Sequence, residues 1–157
     1  MRSINRAVHP RSGPSRSRGV AAVEFVITLP LLLLLMLVGA ELGRAFVEYS
    51  ILSHSVRNSA RYVSENAIAG DTGVINLSVE VIRDAKNLAV YGKIGAGGIP
   101  RLRNFQTAHV AVVDAGNNNI RITADYPFQH LAQFGIGDVL IPPPLTLHIA
   151  VTMRAIS

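Results

Sequence analysis

Residues 18–40 read RGVAAVEFVITLPLLLLLMLVGA, a stretch that begins with an arginine and is then almost entirely apolar. The 21 residues from position 20 to position 40 contain two strongly polar members, Glu24 and Thr28. A helix of this length spans about 30 Å, which is the thickness of the hydrocarbon core of a bilayer. The stretch therefore predicts a transmembrane helix at residues 20–40.

The charge of the chain is concentrated before this helix. Residues 1–18 carry five arginines and no acid, and the remaining chain has ten basic and ten acidic residues, so the net charge of +5 belongs to the leader. A basic arm could contact nucleic acid, but beside an apolar span the positive-inside rule explains it more simply. We therefore expect residues 1–19 to be a disordered cytoplasmic leader, and we expect no nucleic-acid partner.

The helical pattern continues beyond the span. Between positions 41 and 66, apolar residues recur at spacings of three and four and predict one apolar helix face, which we expect to pack on the chain's own domain: Leu42, Phe46, Tyr49, Leu52, Val56, Ala60 and Val63. Glu41 and Arg44 are spaced i, i+3 at the outer end of the span, where we expect an ordinary solvated ion pair. The first helix-stop signal is Gly70-Asp71-Thr72-Gly73.

The remainder, residues 67–157, predicts an exported α+β domain. A second helix is expected at residues 77–91, with Asn76 as its N-cap. Alternating apolar residues before and after a turn at 114–119 predict a β-hairpin, and residues 145–154 alternate as a third strand that follows a run of three prolines. The fold class is therefore α+β, with the amphipathic half of a long N-terminal helix packed on a small antiparallel sheet.

No catalytic or metal-binding pattern is visible in the sequence. The chain has no cysteine, and its five histidines lack metal-ligand spacing. The acids are scattered, and the glycine-rich residues 92–98 lack the Lys-Ser/Thr of a phosphate-binding loop. We therefore expect no enzyme activity, no cofactor, no metal and no small-molecule substrate.

The pattern Gly19-x4-Glu24-Phe25 behind a basic leader resembles the TadE-like pseudopilins of the tight-adherence (Flp) pilus, a type IVb prepilin-like family. The resemblance covers about residues 18–62. It also rests on Leu29-Pro30-Leu31 inside the span, Glu41-Leu42-Gly43-Arg44 at its end, and Ser59-Ala60-Arg61-Tyr62. An intramembrane glutamate is expensive and indicates a function, although Glu24 lies near enough to the leader to reach the headgroups without a partner.

The resemblance implies a pilin-like fold and a processing step. A prepilin peptidase would cut between Gly19 and Val20 on the cytoplasmic side, so that Val20 becomes the first residue, while Glu24 and Phe25 would serve recognition and assembly. The 138 residues left after cleavage (157 minus 19) are typical of a minor pseudopilin rather than of the short major pilin. The implied partners are the membrane, the peptidase, other pilins and the assembly platform. The implied location is the bacterial inner membrane, with a cytoplasmic N-terminus and an exported C-terminal domain.

Two alternatives remain open at this point. Val38-Gly39-Ala40 could be the small-residue cleavage site of an ordinary signal peptide, which would release a periplasmic binding domain. The span could also remain uncleaved as a single-pass anchor. The mature N-terminus would be Glu41 in the first case, Met1 in the second and Val20 in a pseudopilin.

Overall fold

The computed structural model describes residues 17–68, 75–95, 97–130 and 145–155, with side chains from residue 19 onward. The expected disorder of the leader, the helix-stop signal and the three prolines before the last strand fall outside the described residues. Two helices and three strands follow in the order α1 (Ser17–Asn66), α2 (Val79–Tyr91), β1 (Val110–Gly116), β2 (Asn119–Phe128) and β3 (Leu145–Arg154). A short 3-10 helix, Thr107–His109, precedes β1. The expected α+β class is confirmed.

The chain divides into two compact units, one ending at Gly39 and one beginning at Ala40. The N-terminal unit holds the first half of α1, whose apolar side chains are exposed along its whole length. The helix continues through Pro30 without interruption. The hydroxyl of Thr28 donates to the backbone carbonyls of Glu24 (2.9 Å) and Phe25 (3.3 Å), which provides this polar group with acceptors inside an apolar stretch.

The second unit has one hydrophobic core. Buried residues of α1, α2 and the sheet form a single cluster that includes Leu52, Val56, Ala60, Val63, Ala85, Ala89, Val90, Ile120, Ile122, Tyr126 and Ile149. The hydroxyl of Ser59 joins the two helices by donating to the carbonyl of Ala85 at 2.7 Å. The hydroxyl of Ser55 is also buried, but it has no hydrogen-bond partner in the part of the chain that the structure describes.

The predicted apolar face of α1 is only partly correct. Its C-terminal members, from Leu52 to Val63, are buried, whereas Leu42, Phe46 and Tyr49 are exposed. All of them satisfy the same helical spacing, so periodicity could not separate them. The difference arises because the sheet covers only the later turns of the helix on this side.

The sheet is antiparallel with the order β1-β2-β3. Strand β3 has the predicted bounds, and its predicted apolar face turns inward, with Ile149 buried. The hairpin turn is tighter than expected, because β1 extends to Gly116 and β2 begins at Asn119. Asn117 and Asn118 both have positive φ, 54° and 59°, as a two-residue turn with right-handed strand twist requires.

Helix α2 begins two residues later than predicted. Its N-cap is Ser78, whose side chain accepts a hydrogen bond from the backbone nitrogen of Val81 at 3.2 Å. Asn76 instead bonds through its backbone to the carbonyl of Ala67 at 2.7 Å. Both residue types are good caps, so the choice depends on this tertiary contact.

Candidate functional site

The N-terminal candidate site lies on one side of α1. Gly19, Val23 and Ile27 form one row along the helix, and Val20, Glu24 and Thr28 form the row beside it. The two proposed signal residues, Gly19 and Glu24, therefore lie on the same side, and Phe25 is exposed next to them. A single protein surface could contact both residues at once.

Gly19 lies inside the first turn of α1, which begins at Ser17, so the helix starts earlier than the expected position 20. Amide groups in a first turn have no acceptor within the helix, and such turns open easily. A Cβ atom added at Gly19 would find nothing within 4 Å. Packing within the described chain therefore places no demand for glycine at this position. Any such demand would have to come from another molecule.

Glu24 is exposed on an apolar helix surface. Its carboxylate has no hydrogen-bond or ion-pair partner among the described residues, whereas its backbone carbonyl accepts from Thr28. In hydrocarbon an unpartnered carboxylate costs about 2.5–3.5 kcal/mol at a helix centre and less toward the ends. Glu24 is thus available to pair with a cation outside the described chain.

A second cluster of charged residues surrounds Arg44 and was not predicted. Its guanidinium forms ion pairs with Glu41 (3.4 Å) and Glu48 (3.6 Å) on α1. It also donates to the backbone carbonyl of Gln129 and lies 4.7 Å from the centre of the Phe128 ring. The side chains of Arg44, Glu41 and Glu48 are only 28, 17 and 16% exposed. The expectation of a solvated pair at a helix boundary is therefore wrong, because the pair is part of the contact between α1 and the end of β2.

Tyr126 extends this cluster into the core. Burial of its hydroxyl, followed by its hydrogen bond to the Glu48 carboxylate, raises the pKa of Tyr126 from 10.0 to about 12. The ring itself is buried and lies edge-on to Phe105, with ring centres 5.8 Å apart. The only advance signal of the cluster was the i, i+4 spacing of Arg44 and Glu48, which does not indicate contact with a strand 80 residues away.

The histidines do not form a site in the described part of the chain. His148 pairs with Asp125 on the exposed sheet face at 2.5 Å, His109 stacks on Phe105, and His130 lies edge-on to Phe128. No group of three or more histidine and acidic side chains that could hold a metal ion occurs among the described residues. These contacts suit packing and sheet pairing.

Comparison with known proteins gives one match. No curated protein and no solved structure matches the chain. Helix α1 is long and apolar enough to cross a membrane, judged by its length and composition. Residues 19–61 match the family model of TadE-like proteins, so the resemblance seen in the sequence is confirmed, and the chain carries a TadE-like segment that begins at Gly19.

Proposed function

We propose that this chain is a minor pseudopilin of a tight-adherence pilus, processed between Gly19 and Val20 by a prepilin peptidase. The TadE-like segment supports association with such a pilus, and the apolar first half of α1 supports a single-pass membrane anchor. The protein is then a substrate of the peptidase and a structural component. It carries out no catalysis of its own.

The observation that carries the proposal is the pairing of Gly19 and Glu24 on one side of α1. Neither residue is needed by the described chain, since Gly19 makes no close contact and the Glu24 carboxylate has no partner there. Residues that the chain's own fold does not need, yet that match a family pattern, are best explained by contacts with other proteins. The peptidase is the partner proposed for Gly19.

Cleavage would give Glu24 a partner in the assembled pilus. The new amino group of Val20 lies four residues before Glu24, about 6 Å along the helix axis. Within one helix this amine is too far away for direct contact, but the amine of a neighbouring subunit could reach Glu24. Because an unpaired carboxylate is costly in an apolar environment, such a pair would favour one axial stagger between subunits.

The continuity of α1 argues against a signal peptide that is cut after Ala40. Residues 38–41 are helical, within a helix that extends to Asn66, and proteases bind their substrates as extended chains. Cleavage there would also expose the charged cluster around Arg44 at a new chain end. The uncleaved anchor is the remaining alternative.

The test is the N-terminus of the mature protein, determined by mass spectrometry in the native host. We expect Val20 in the wild type and uncleaved protein in a Gly19→Ala variant. Gly39→Ala is the matched control, because a Cβ at that helical glycine also meets nothing within 4 Å. A wild-type N-terminus at Met1 or Glu41, or normal processing of Gly19→Ala, would contradict the proposed cleavage.

Glu24→Gln separates processing from assembly. The amide keeps the shape of the side chain but loses the charge that would pair with the neighbouring amine. We expect cleavage to continue and the amount of this protein that co-purifies with the major pilin and the assembly platform to fall. Unchanged co-purification would show that Glu24 does not set the stagger between subunits.

A further inference from the structure

Residues 41–50 of α1 distribute charge in the reverse of the usual order. The three charged side chains, Glu41, Arg44 and Glu48, are half-buried in the contact with the end of β2. The exposed positions carry no charge: Leu42, Gly43, Phe46, Val47, Tyr49 and Ser50. A helix that faces water exposes its charged side and covers its apolar side. This part of α1 is therefore built to face something less polar than water.

The exposed face is apolar and recessed. Phe46 is 74% exposed, Leu42 58% and Tyr49 47%. Together with Ala45 and Leu147 of β3 they line an open groove of about 330 Å³. The Tyr49 hydroxyl is the one polar side-chain group among these five residues, so the groove offers hardly any hydrogen bonds to a specific protein ligand.

The position of this face along the sequence matches the edge of a bilayer. If Glu24 marks the inner boundary, the roughly 20 residues needed to cross the hydrocarbon core bring the outer boundary to about Arg44. The interfacial layer adds about 5–7 Å on each side, which at 1.5 Å per residue corresponds to the next four or five residues of a helix. Phe46 and Tyr49 fall in this interval, where aromatic side chains are enriched in membrane proteins.

We infer that residues 42–49 of α1, with Leu147 of β3, dock the exported domain on the outer surface of the lipid bilayer. The inference rests on the membrane anchor of the proposed function and adds a second lipid contact to it. Continuity with the apolar helix favours lipid over a protein occupant. The charge pattern agrees, because Arg44 neutralises the acids on its own side of the helix, so no unpaired charge from these turns enters the interface.

Spin labelling can test this contact directly, because the chain has no cysteine and each introduced cysteine gives a single label. Labels at Phe46→Cys and Tyr49→Cys report the groove, and labels at His54→Cys and Arg57→Cys serve as matched controls, since both sites are exposed on the same helix. Leu33→Cys reports whether the apolar half of α1 lies in lipid. The full chain is reconstituted at low density in vesicles of phosphatidylethanolamine and phosphatidylglycerol, and collisions with oxygen and with a water-soluble nickel chelate are compared.

We expect the ratio of oxygen to nickel collisions at Phe46→Cys and Tyr49→Cys to be several-fold higher than at the two controls and closer to that of Leu33→Cys. Free access of nickel at the groove, with Leu33→Cys still in lipid, would refute the docking and leave the anchor intact. Access of nickel to Leu33→Cys would refute the anchor and the docking together. Protection of the groove from both reagents would show that a protein, such as a second copy, covers it, and would overturn the lipid assignment.

Discussion

Arg44 is the residue whose replacement tests the structure most severely. In Arg44→Met the aliphatic stem keeps its packing, but the guanidinium is lost. Its charge-assisted hydrogen bond to the Gln129 carbonyl is worth about 1.5–3 kcal/mol, and its contact with the Phe128 ring about 0.5–1 kcal/mol. The substitution also leaves Glu41 and Glu48 half-buried without their cation, which is the expensive way to break an ion pair.

Partial exposure of the cluster limits the total effect. A fully buried pair that loses one partner costs about 3–5 kcal/mol, and an exposed pair about 0.2–1 kcal/mol. With Arg44 28% exposed, we expect Arg44→Met to lower the free energy of unfolding by about 2–4 kcal/mol. For a domain of this size that corresponds to a thermal midpoint roughly 10 °C lower.

The assay is thermal unfolding of the full chain in detergent micelles, followed by circular dichroism. Arg61→Met is the matched control, because Arg61 lies 3.1 Å from Glu65, closer than either pair of Arg44, but the two side chains are 78 and 53% exposed. We expect that control to change the stability by less than about 0.5 kcal/mol. Adding Glu48→Gln to Arg44→Met should recover part of the loss, since it removes one uncompensated charge.

Equal midpoints for Arg44→Met and Arg61→Met would refute the reasoning, because the shorter distance of the second pair would then count as much as the burial of the first. A further loss on adding Glu48→Gln would also contradict it. That result would mean that Glu48 stabilises the fold mainly through Tyr126 rather than through Arg44.

Three further predictions concern the packing of the exported domain. Ser55→Ala should raise the free energy of unfolding by about 1 kcal/mol by removing a buried hydroxyl without a partner among the described residues, whereas Ser59→Ala should lower it by about 1 kcal/mol; denaturant titrations of both variants check the signs. Asn118→Val should cost about 1–2 kcal/mol, because φ is 59° there and a β-branched residue is strained at positive φ, while Asn118→Gly should be tolerated in the same titration. The pKa of Tyr126 is raised to about 12 in the fold, so its contribution is complete below pH 10 and is lost as pH rises toward 12; the thermal midpoint of Tyr126→Phe should fall less over that interval than that of the wild type.

Elements that depend on local pattern could be predicted from the sequence. Strand β3 has the predicted bounds because ten residues alternate without a break and face one partner strand, β2. The long helix was also predictable, since an apolar run of this length leaves few other structures open. The N-cap of α2 was placed at Asn76 instead of Ser78 because local chemistry allows either residue, and a backbone bond to Ala67 decides between them.

The two candidate sites differ in the same way. Gly19 and Glu24 could be found from the sequence because they are unsuited to their surroundings: a glycine and a carboxylate at the start of an apolar helix stand out without any structure. The Arg44 cluster could not be found, because its partners Phe128 and Gln129 lie more than 80 residues away, and nothing in their sequence context indicates a cation.

This difference bears on what each site does. A residue that the described chain does not use has to be explained by another molecule, which is why Gly19 and Glu24 support peptidase recognition and assembly. Arg44 is used fully within the chain, and its effect on other molecules is indirect. By holding Glu41 and Glu48 toward the sheet, it leaves Phe46 and Tyr49 as the exposed residues of α1. Loss of Arg44 would therefore free two acids at the face proposed to meet lipid, and the stability of the domain and its contact with the membrane should weaken together.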